Sequence, residues 1–401
     1  MALDSRRFVE ALLDHGYGIG SGVPCSWLDG LTNALLNEPR FHYITAAQEG
    51  EAVAIASGAD LAGKKALAAM QGSGLTNAGS PLTSYNYTFQ RGVLLFVSLR
   101  GDPAFAKAST FAQATADTSA GKSQGSPDEP QHELMGRIAA EQLTLWKIEH
   151  DVLSGDMKNA VQQVDQAEWV IAKGKSFSFI VRKDTFAPVP LETFESRPTR
   201  KTRVAVLGRK GEALVRRDIL QALLPWRDKG AVILATTGHT GRELFSLGDH
   251  DAQLYMVGSM GCVSSLGLGA AHAAPSKKFI AIDGDGALLM RLGSLATNAW
   301  VAPANLLHIV LDNGRHESTG AQRTASHMVN FPALAAAAGY PRVVVAQSLA
   351  GFQEAVEAWH KKPILTFLYV RTKLGAPENL PRPNVTPAEK ARRLRKFLTS
   401  Q

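Results

Sequence analysis

Phe279-Ile280-Ala281-Ile282-Asp283-Gly284-Asp285-Gly286-Ala287 and Leu306-Leu307-His308-Ile309-Val310-Leu311-Asp312-Asn313-Gly314 are the two stretches that decide the reading of this chain. Each is a short apolar run, of buried-strand length, that stops at a glycine-bearing turn. Asp285 follows the first run, and Asn313, 28 positions later, follows the second. Ligands of open α/β sheets bind beyond the carboxyl ends of the strands. A carboxylate and an amide oxygen are the hard donors that Mg²⁺ takes. Gly284 and Gly286 let the backbone come close to phosphate oxygens. The pair therefore predicts a Mg²⁺-diphosphate site, with two ordinary strand–helix turns as the alternative.

Outward from this pair, strand and helix patterns alternate. In the second half, strands are expected over 231–235, 279–282, 306–311, 343–346 and 364–370, and helices over 212–224, 292–300 and 349–359. In the first half, strands are expected over 42–46, 66–70, 93–99 and 176–181, with helices over 5–15 and 48–61, the latter built of small residues. Such alternation implies parallel sheets covered on both faces. Pro188, Pro190 and Pro198 among charged residues mark a linker over 187–202. The expected fold is α/β, with domains at 1–186 and 203–375 and a tail at 376–401. In the tail, Thr386, Pro387 and Glu389 form a capping box that opens a basic helix, expected to be a solvated terminal element. The stretch 104–127, rich in Ala, Ser, Thr, Gly and Gln, reads as a surface loop, either a lid or a plain insertion.

Composition narrows the function classes. The chain has 401 residues, 45% hydrophobic and 20% charged, which suits an ordinary globular protein. Its net charge of +7 is scattered apart from 197–203 and 390–396. That pattern suits attraction of small anions and argues against a nucleic-acid partner. Cys25 and Cys262, with no CxxC, point to a reducing compartment and away from a disulfide framework or zinc site. With no apolar signal segment and no run long enough to span a bilayer, a cytoplasmic protein without membrane association is expected. No GxGxxG with a following acidic residue supports a dinucleotide oxidoreductase.

The second half resembles the diphosphate-binding domain of thiamine diphosphate enzymes, whose signature is GDG followed at this spacing by Asn. The resemblance implies that Asp285, Asn313 and the backbone carbonyl of Arg315 hold Mg²⁺, and that Gly286 and Ala287 lie against the diphosphate. Gly258-Ser259-Met260-Gly261 resembles the segment that supports the bent cofactor, with the polarizable Met260 between its two rings. Gly238, His239 and Thr240 would lie over the diphosphate or aminopyrimidine. The first domain is then the pyrimidine-binding one, which needs a carboxylate facing the pyrimidine. In Ala46-Ala47-Gln48-Glu49-Gly50-Glu51-Ala52, Glu49 follows a strand and opens a helix, so it can point inward. A carboxyl in an apolar site shares its proton readily because burial raises its pKa. Glu51 is the competitor but points elsewhere on the helix. Outside this context, a Glu at a helix start would be a capping residue.

Further phrases narrow the resemblance: Gly22-Val23-Pro24-Cys25-Ser26, Gln71-Gly72-Ser73-Gly74-Leu75-Thr76-Asn77, Asp128-Glu129-Pro130-Gln131-His132, Arg242-Glu243-Leu244-Phe245 and His316-Glu317-Ser318-Thr319-Gly320. Over residues 4–375 the chain resembles the phosphonopyruvate decarboxylases and, beside them, the sulfopyruvate decarboxylases. These two-domain enzymes lack the central third domain of other thiamine decarboxylases. The resemblance implies non-oxidative decarboxylation of 3-phosphonopyruvate to phosphonoacetaldehyde and CO₂ in phosphonate biosynthesis. It also implies thiamine diphosphate and Mg²⁺ as cofactors, a small anionic 2-oxo acid as substrate, and a homo-oligomer, at least a dimer, with the site between subunits. Ser26, Gln71 and Asn77 would face the substrate. His132 and His239 are candidate proton carriers, since imidazole titrates near neutrality; the alternative for each is a structural histidine. A phosphonate needs cationic partners, for which Arg100 leads and Arg315 and Arg323 follow. The chain departs from the pattern where 104–127 separates Arg100-Gly101-Asp102-Pro103 from Asp128–His132, and at Gly72, Thr76 and Gly241, all of which bear on substrate identity. The alternatives are sulfopyruvate decarboxylase and an inactive, cofactor-binding regulatory subunit.

Overall fold

The computed structural model describes residues 2–101, 129–192, 200–209 and 211–400. Two parallel sheets carry the chain, as an α/β reading requires. The first contains β1 (Tyr17–Gly22), β2 (His42–Thr45), β3 (Lys65–Gln71), β4 (Leu94–Ser98), β5 (Glu149–Val152) and β6 (Phe177–Val181), in the order β2-β1-β3-β4-β6-β5. The second contains β7 (Arg203–Leu207), β8 (Ala231–Ala235), β9 (Gln253–Tyr255), β10 (Lys278–Gly284), β11 (Leu306–Asp312), β14 (Arg342–Ala346) and β15 (Thr366–Arg371), in the order β7-β14-β15-β11-β10-β8-β9. A small antiparallel hairpin, β12 (Arg315–His316) and β13 (Gln322–Arg323), follows β11. Only residues 182–202 lie between the two sheets. The 104–127 stretch and linker residues 193–199 lie outside the described residues.

Local sequence misses some elements for identifiable reasons. Tyr17-Gly18-Ile19-Gly20-Ser21-Gly22 carries no strand signal, because glycine normally weakens a strand. It is β1 because its neighbours crowd it. A Cβ at Gly20 would sit 2.9 Å from the Phe41 ring, and one at Gly22 would sit 2.2 Å from Tyr43 Oη. The helix expected over 212–224 begins later, at Arg216–Asp228, because Leu214 is pulled into a bridge with Thr372 beside β15. It also runs through Pro225 to its last turn.

The two halves meet through small residues. Helix Glu49–Leu61 packs on its own sheet, as its composition suggests, but also against helix Val263–Ala273 of the second half. A Cβ at Gly58 would lie 2.0 Å from the Leu266 carbonyl oxygen, and one at Gly269 would lie 1.9 Å from that of Ile55. Both glycines are therefore needed for this crossing, which brings the helix backbones into contact.

The basic C-terminal helix, Pro387–Thr399, is capped by Thr386 as the sequence indicates. It is not a solvated arm. Ala391 and Leu394 are fully buried, and Lys390 is buried with its Nζ on Asp249 and on the His250 carbonyl oxygen (2.5 Å each). Arg393 joins Asp249 and Asp251 of the second half, while Arg395 reaches Asp60 of the first. Lys390, Arg393 and Arg395, which look like part of a solvated face, are paired across both halves. Leu394→Ala is expected to lower stability by ~2–5 kcal/mol, the cost of emptying a leucine site in a core, measurable by denaturant unfolding. Among the described residues no helix is long and apolar enough to cross a membrane.

Candidate cofactor and substrate site

Parallel register places the carboxyl ends of β10 and β11 side by side, with Gly284 opposite Leu311. Asp285 therefore begins helix Asp285–Met290 beside Asn313, which follows β11. A narrow cavity of ≈ 100 Å³ opens there, lined by His239, Thr240, Met260, Asp285, Gly286, Ala287, Asn313 and Arg315 together with Arg216 and Glu317. Larger clefts of ≈ 670 and ≈ 860 Å³ lie at the Val204–Met328 edge and between the halves near His42 and His272, but hold none of these residues.

The donors are held firmly. Asp285 is buried, and its Oδ2 accepts from Thr324 Oγ1. Thr324 Oγ1 also lies 2.9 Å from Ser326 Oγ, whose hydroxyl donates to Asp312 Oδ1 (3.0 Å). Burial pushes the Asp285 carboxyl above its usual range and nearby Asp312 adds to this, against the hydrogen bonds from Thr324, Ser326 and the Gly286 N–H. Those hydrogen-bond partners are all neutral. A buried carboxylate so placed is favoured by a cation. Asn313 Oδ1 accepts from the Arg315 N–H (3.0 Å), while its Nδ2 donates to Glu317 Oε2 (3.2 Å). The oxygen end of the amide is thereby distinguished from the nitrogen end. The Arg315 guanidinium is turned away, donating to the Ala321 carbonyl oxygen (2.9 Å).

The space around these donors suits a diphosphate. A Cβ at Gly284 would meet nothing within 4 Å, so the strand end opens into free volume, whereas one at Gly286 would strike the His316 ring at 2.4 Å. Gly238 has φ +92°, and helix His239–Ser246 begins directly after it, its first N–H groups at the cavity. Gly258, Ser259 and Gly261 all have positive φ. Ser259 is pinned through its N–H to Ser84 Oγ (2.8 Å) of the first half. Met260, between them, is half-buried on the cavity rather than in the core.

The first-half candidates form a separate group. Glu49 is half-buried, its Oε2 accepting from Asn77 Nδ2 (2.8 Å). A Cβ at Gly74 would lie 2.3 Å from Glu49 Oε1, so only glycine leaves room for it. Gln71 donates to Ser73 Oγ (2.6 Å) and lies 3.4 Å from Nδ1 of the buried His132; Cys25 Sγ lies 3.1 Å from Ser98 Oγ. Arg100 follows β4, with its guanidinium 5.8 Å from the centre of the Trp27 ring. Ser26 is exposed beside Cys25. None of these lines the Asp285 cavity of the same chain. The fully buried carboxyl at this helix start is Glu51, pushed upward by burial, its Oε2 accepting from the Ala47 N–H (2.9 Å).

Residues 245–370 match the family described as thiamine pyrophosphate enzyme, C-terminal TPP binding domain. The phosphonopyruvate decarboxylase of Streptomyces viridochromogenes is 37% identical over 397 residues, covering 98% of this chain and 94% of that protein. The chain belongs to the phosphonopyruvate decarboxylase family. It is a thiamine diphosphate-dependent decarboxylase. A sulfopyruvate decarboxylase of Methanosarcina acetivorans is 28% identical over 400 residues, covering 98% and 97% of the two chains. The solved thiamine diphosphate-dependent 4-hydroxybenzoylformate decarboxylase of Rhodococcus jostii shares the fold, with TM-score 0.66 at 13% identity over 93% of this chain and 100% of that one.

Several residues of this family member's site have no local sequence signal. Arg216 is buried and donates to Glu243 Oε1 from Nε (2.9 Å) and to Glu317 Oε2 from Nη1 (2.7 Å). Thr324, Ser326 and Asp312 brace Asp285 from 39, 41 and 27 positions away. Only folding assembles such partners; Glu243 and Glu317 stand inside family phrases, which give them no role.

Proposed function

We propose that the protein converts 3-phosphonopyruvate to phosphonoacetaldehyde and CO₂, with thiamine diphosphate anchored through Mg²⁺. The observation that carries this reading is the Asp285–Asn313 cavity, where a buried carboxylate with only neutral hydrogen-bond partners stands beside an amide oxygen, glycine-walled free volume and a helix start. Asp285, Asn313 and the Arg315 carbonyl are the proposed metal donors. Gly238, Thr240, Gly286 and Ala287 would receive the diphosphate, and Gly258–Gly261 with Met260 would support the rest of the cofactor. Bound thiamine diphosphate supplies the nucleophilic carbon and the electron sink that loss of CO₂ from a 2-oxo acid requires.

In this reading the protein's own groups orient the reactants and move protons. Glu49 exchanges a proton with the aminopyrimidine, held in place by Asn77. Ser26, Gln71 and Asn77 direct the substrate. His132 or His239 returns one proton to carbon as CO₂ departs, so no oxidant is needed. Arg100 pairs with the phosphonate. Following the resemblance, the complete site is proposed to form between copies, in at least a homodimer, with the Glu49 of one copy serving the Asp285 cavity of another; Glu49 does not line that cavity in its own chain. The intact trio of Glu49, Asp285 and Asn313 argues against a catalytically inactive regulatory subunit. The sulfopyruvate reading uses the same chemistry on a monoanionic sulfonate, and the Methanosarcina relative keeps it in view.

Purified protein with Mg²⁺ and thiamine diphosphate should release aldehyde from phosphonopyruvate in preference to sulfopyruvate and pyruvate. Arg100→Ala should raise KM for phosphonopyruvate far more than it weakens cofactor uptake. Turnover favouring sulfopyruvate would replace the substrate assignment, aldehyde from none of the three would favour the regulatory reading, and equal effects of Arg100→Ala on substrate and cofactor would remove Arg100 from its role.

A further inference from the structure

Glu317 occupies a position that the metal reading leaves unused. Its Oε2 accepts from Asn313 Nδ2 at 3.2 Å and from Arg216 Nη1 at 2.7 Å, and lies 3.7 Å from His239 Nδ1. Its Oε1 accepts from the Gly375 N–H. Arg216 is in turn held by the buried Glu243, so one guanidinium serves two carboxyl groups.

An amide has two ends of similar shape, and only its hydrogen-bond partners decide which end faces a site. Here both ends are specified. The Arg315 N–H demands the oxygen, and the Glu317 carboxylate demands the NH₂ group. A flipped Asn313 would set its oxygen against a carboxylate and its NH₂ against an N–H. We infer that Glu317, fixed by Arg216, is the positioning residue that presents the Asn313 oxygen to the metal. This rests on the proposed Mg²⁺-diphosphate site and adds the group that orients its amide ligand. Partners beyond the metal's own ligands characteristically govern affinity in this way.

The test is Mg²⁺-dependent uptake of thiamine diphosphate by the full-length protein, measured by equilibrium dialysis without substrate, in two backgrounds. In the parent, Glu317→Gln removes the charged acceptor and should weaken Mg²⁺ by about tenfold or more, the scale of losses when such partners are changed. In an Asn313→Asp background the ligand is a symmetric carboxylate that needs no orientation and is repelled by Glu317. There Glu317→Gln should strengthen Mg²⁺ relative to Asn313→Asp alone. This reversal of sign is something a merely structural glutamate would not produce. Glu317→Asp keeps the charge on Arg216 but draws it back from Asn313, and serves the same comparison if the amide variant does not fold. Losses in both backgrounds, or no change in the parent, would overturn the inference while leaving the metal site standing. Failure of the parent protein to take up the cofactor with Mg²⁺ would overturn the site and the inference together.

Discussion

Glu49→Gln protein is expected to bind thiamine diphosphate with Mg²⁺ and yet to decarboxylate at least about a hundredfold more slowly, the lower range for losing a general acid–base group. The substitution is nearly isosteric. The amide oxygen it introduces can still accept from Asn77 Nδ2, as the Glu49 carboxylate does at 2.8 Å. The tight approach to Gly74 is unchanged, because the side chain keeps its length. What is lost is the group that takes up and returns a proton. Single-turnover rates at saturating cofactor, set beside equilibrium uptake, separate the two effects. Near-normal turnover would end the assignment of Glu49 and turn attention to Glu51, whose carboxyl is fully buried on the same helix.

The second large effect is expected at Asp285. Asp285→Ala should abolish Mg²⁺-dependent uptake of thiamine diphosphate, exceeding the ~10–100-fold cost of altering groups that only orient ligands. The ligand-free variant should unfold no more easily than the parent, since a carboxyl in a buried site whose hydrogen-bond partners are all neutral is a poor source of stability. In the parent, cofactor at about a hundred times its Kd should add ~2.7 kcal/mol to stability, and the variant should show none of this increment. An unchanged stabilisation by cofactor and Mg²⁺ would exclude Asp285 as the anchor. Mixing the two inactive variants offers a direct reading of the shared site. If Glu49 of one copy serves the Asp285 cavity of another, mixed dimers hold one intact site and one doubly damaged site, so activity should reappear on subunit exchange.

The residues argue differently about what could be read in advance. Asp285 and Asn313 were legible because their chemistry is tied to strand ends, and a parallel register of neighbouring strands brings such ends together. The α/β class and the capped C-terminal helix were legible for the same reason: the signal lies within a few residues of the feature it specifies. Glycine-rich β1 was not, since Phe41 and Tyr43 from β2 and its approach make that strand need glycine. Nor was the clasp of the terminal helix, whose Lys390, Arg393 and Arg395 look like a solvated face until Asp249, Asp251 and Asp60 come opposite them.

From sequence alone come the two parallel-sheet halves and the hard-oxygen pair at adjacent strand ends, because hydrophobic period and turn chemistry act over short spans of chain. Tertiary structure alone shows that Glu51 rather than Glu49 is fully enclosed, that Arg216 holds Glu317 from 101 positions away while Glu317 accepts from the Asn313 amide, and that Glu49 does not line the Asp285 cavity of its own chain. Those outcomes depend on burial, on amide orientation and on which surfaces meet, and each is set by contacts between residues distant in sequence, which no local pattern encodes.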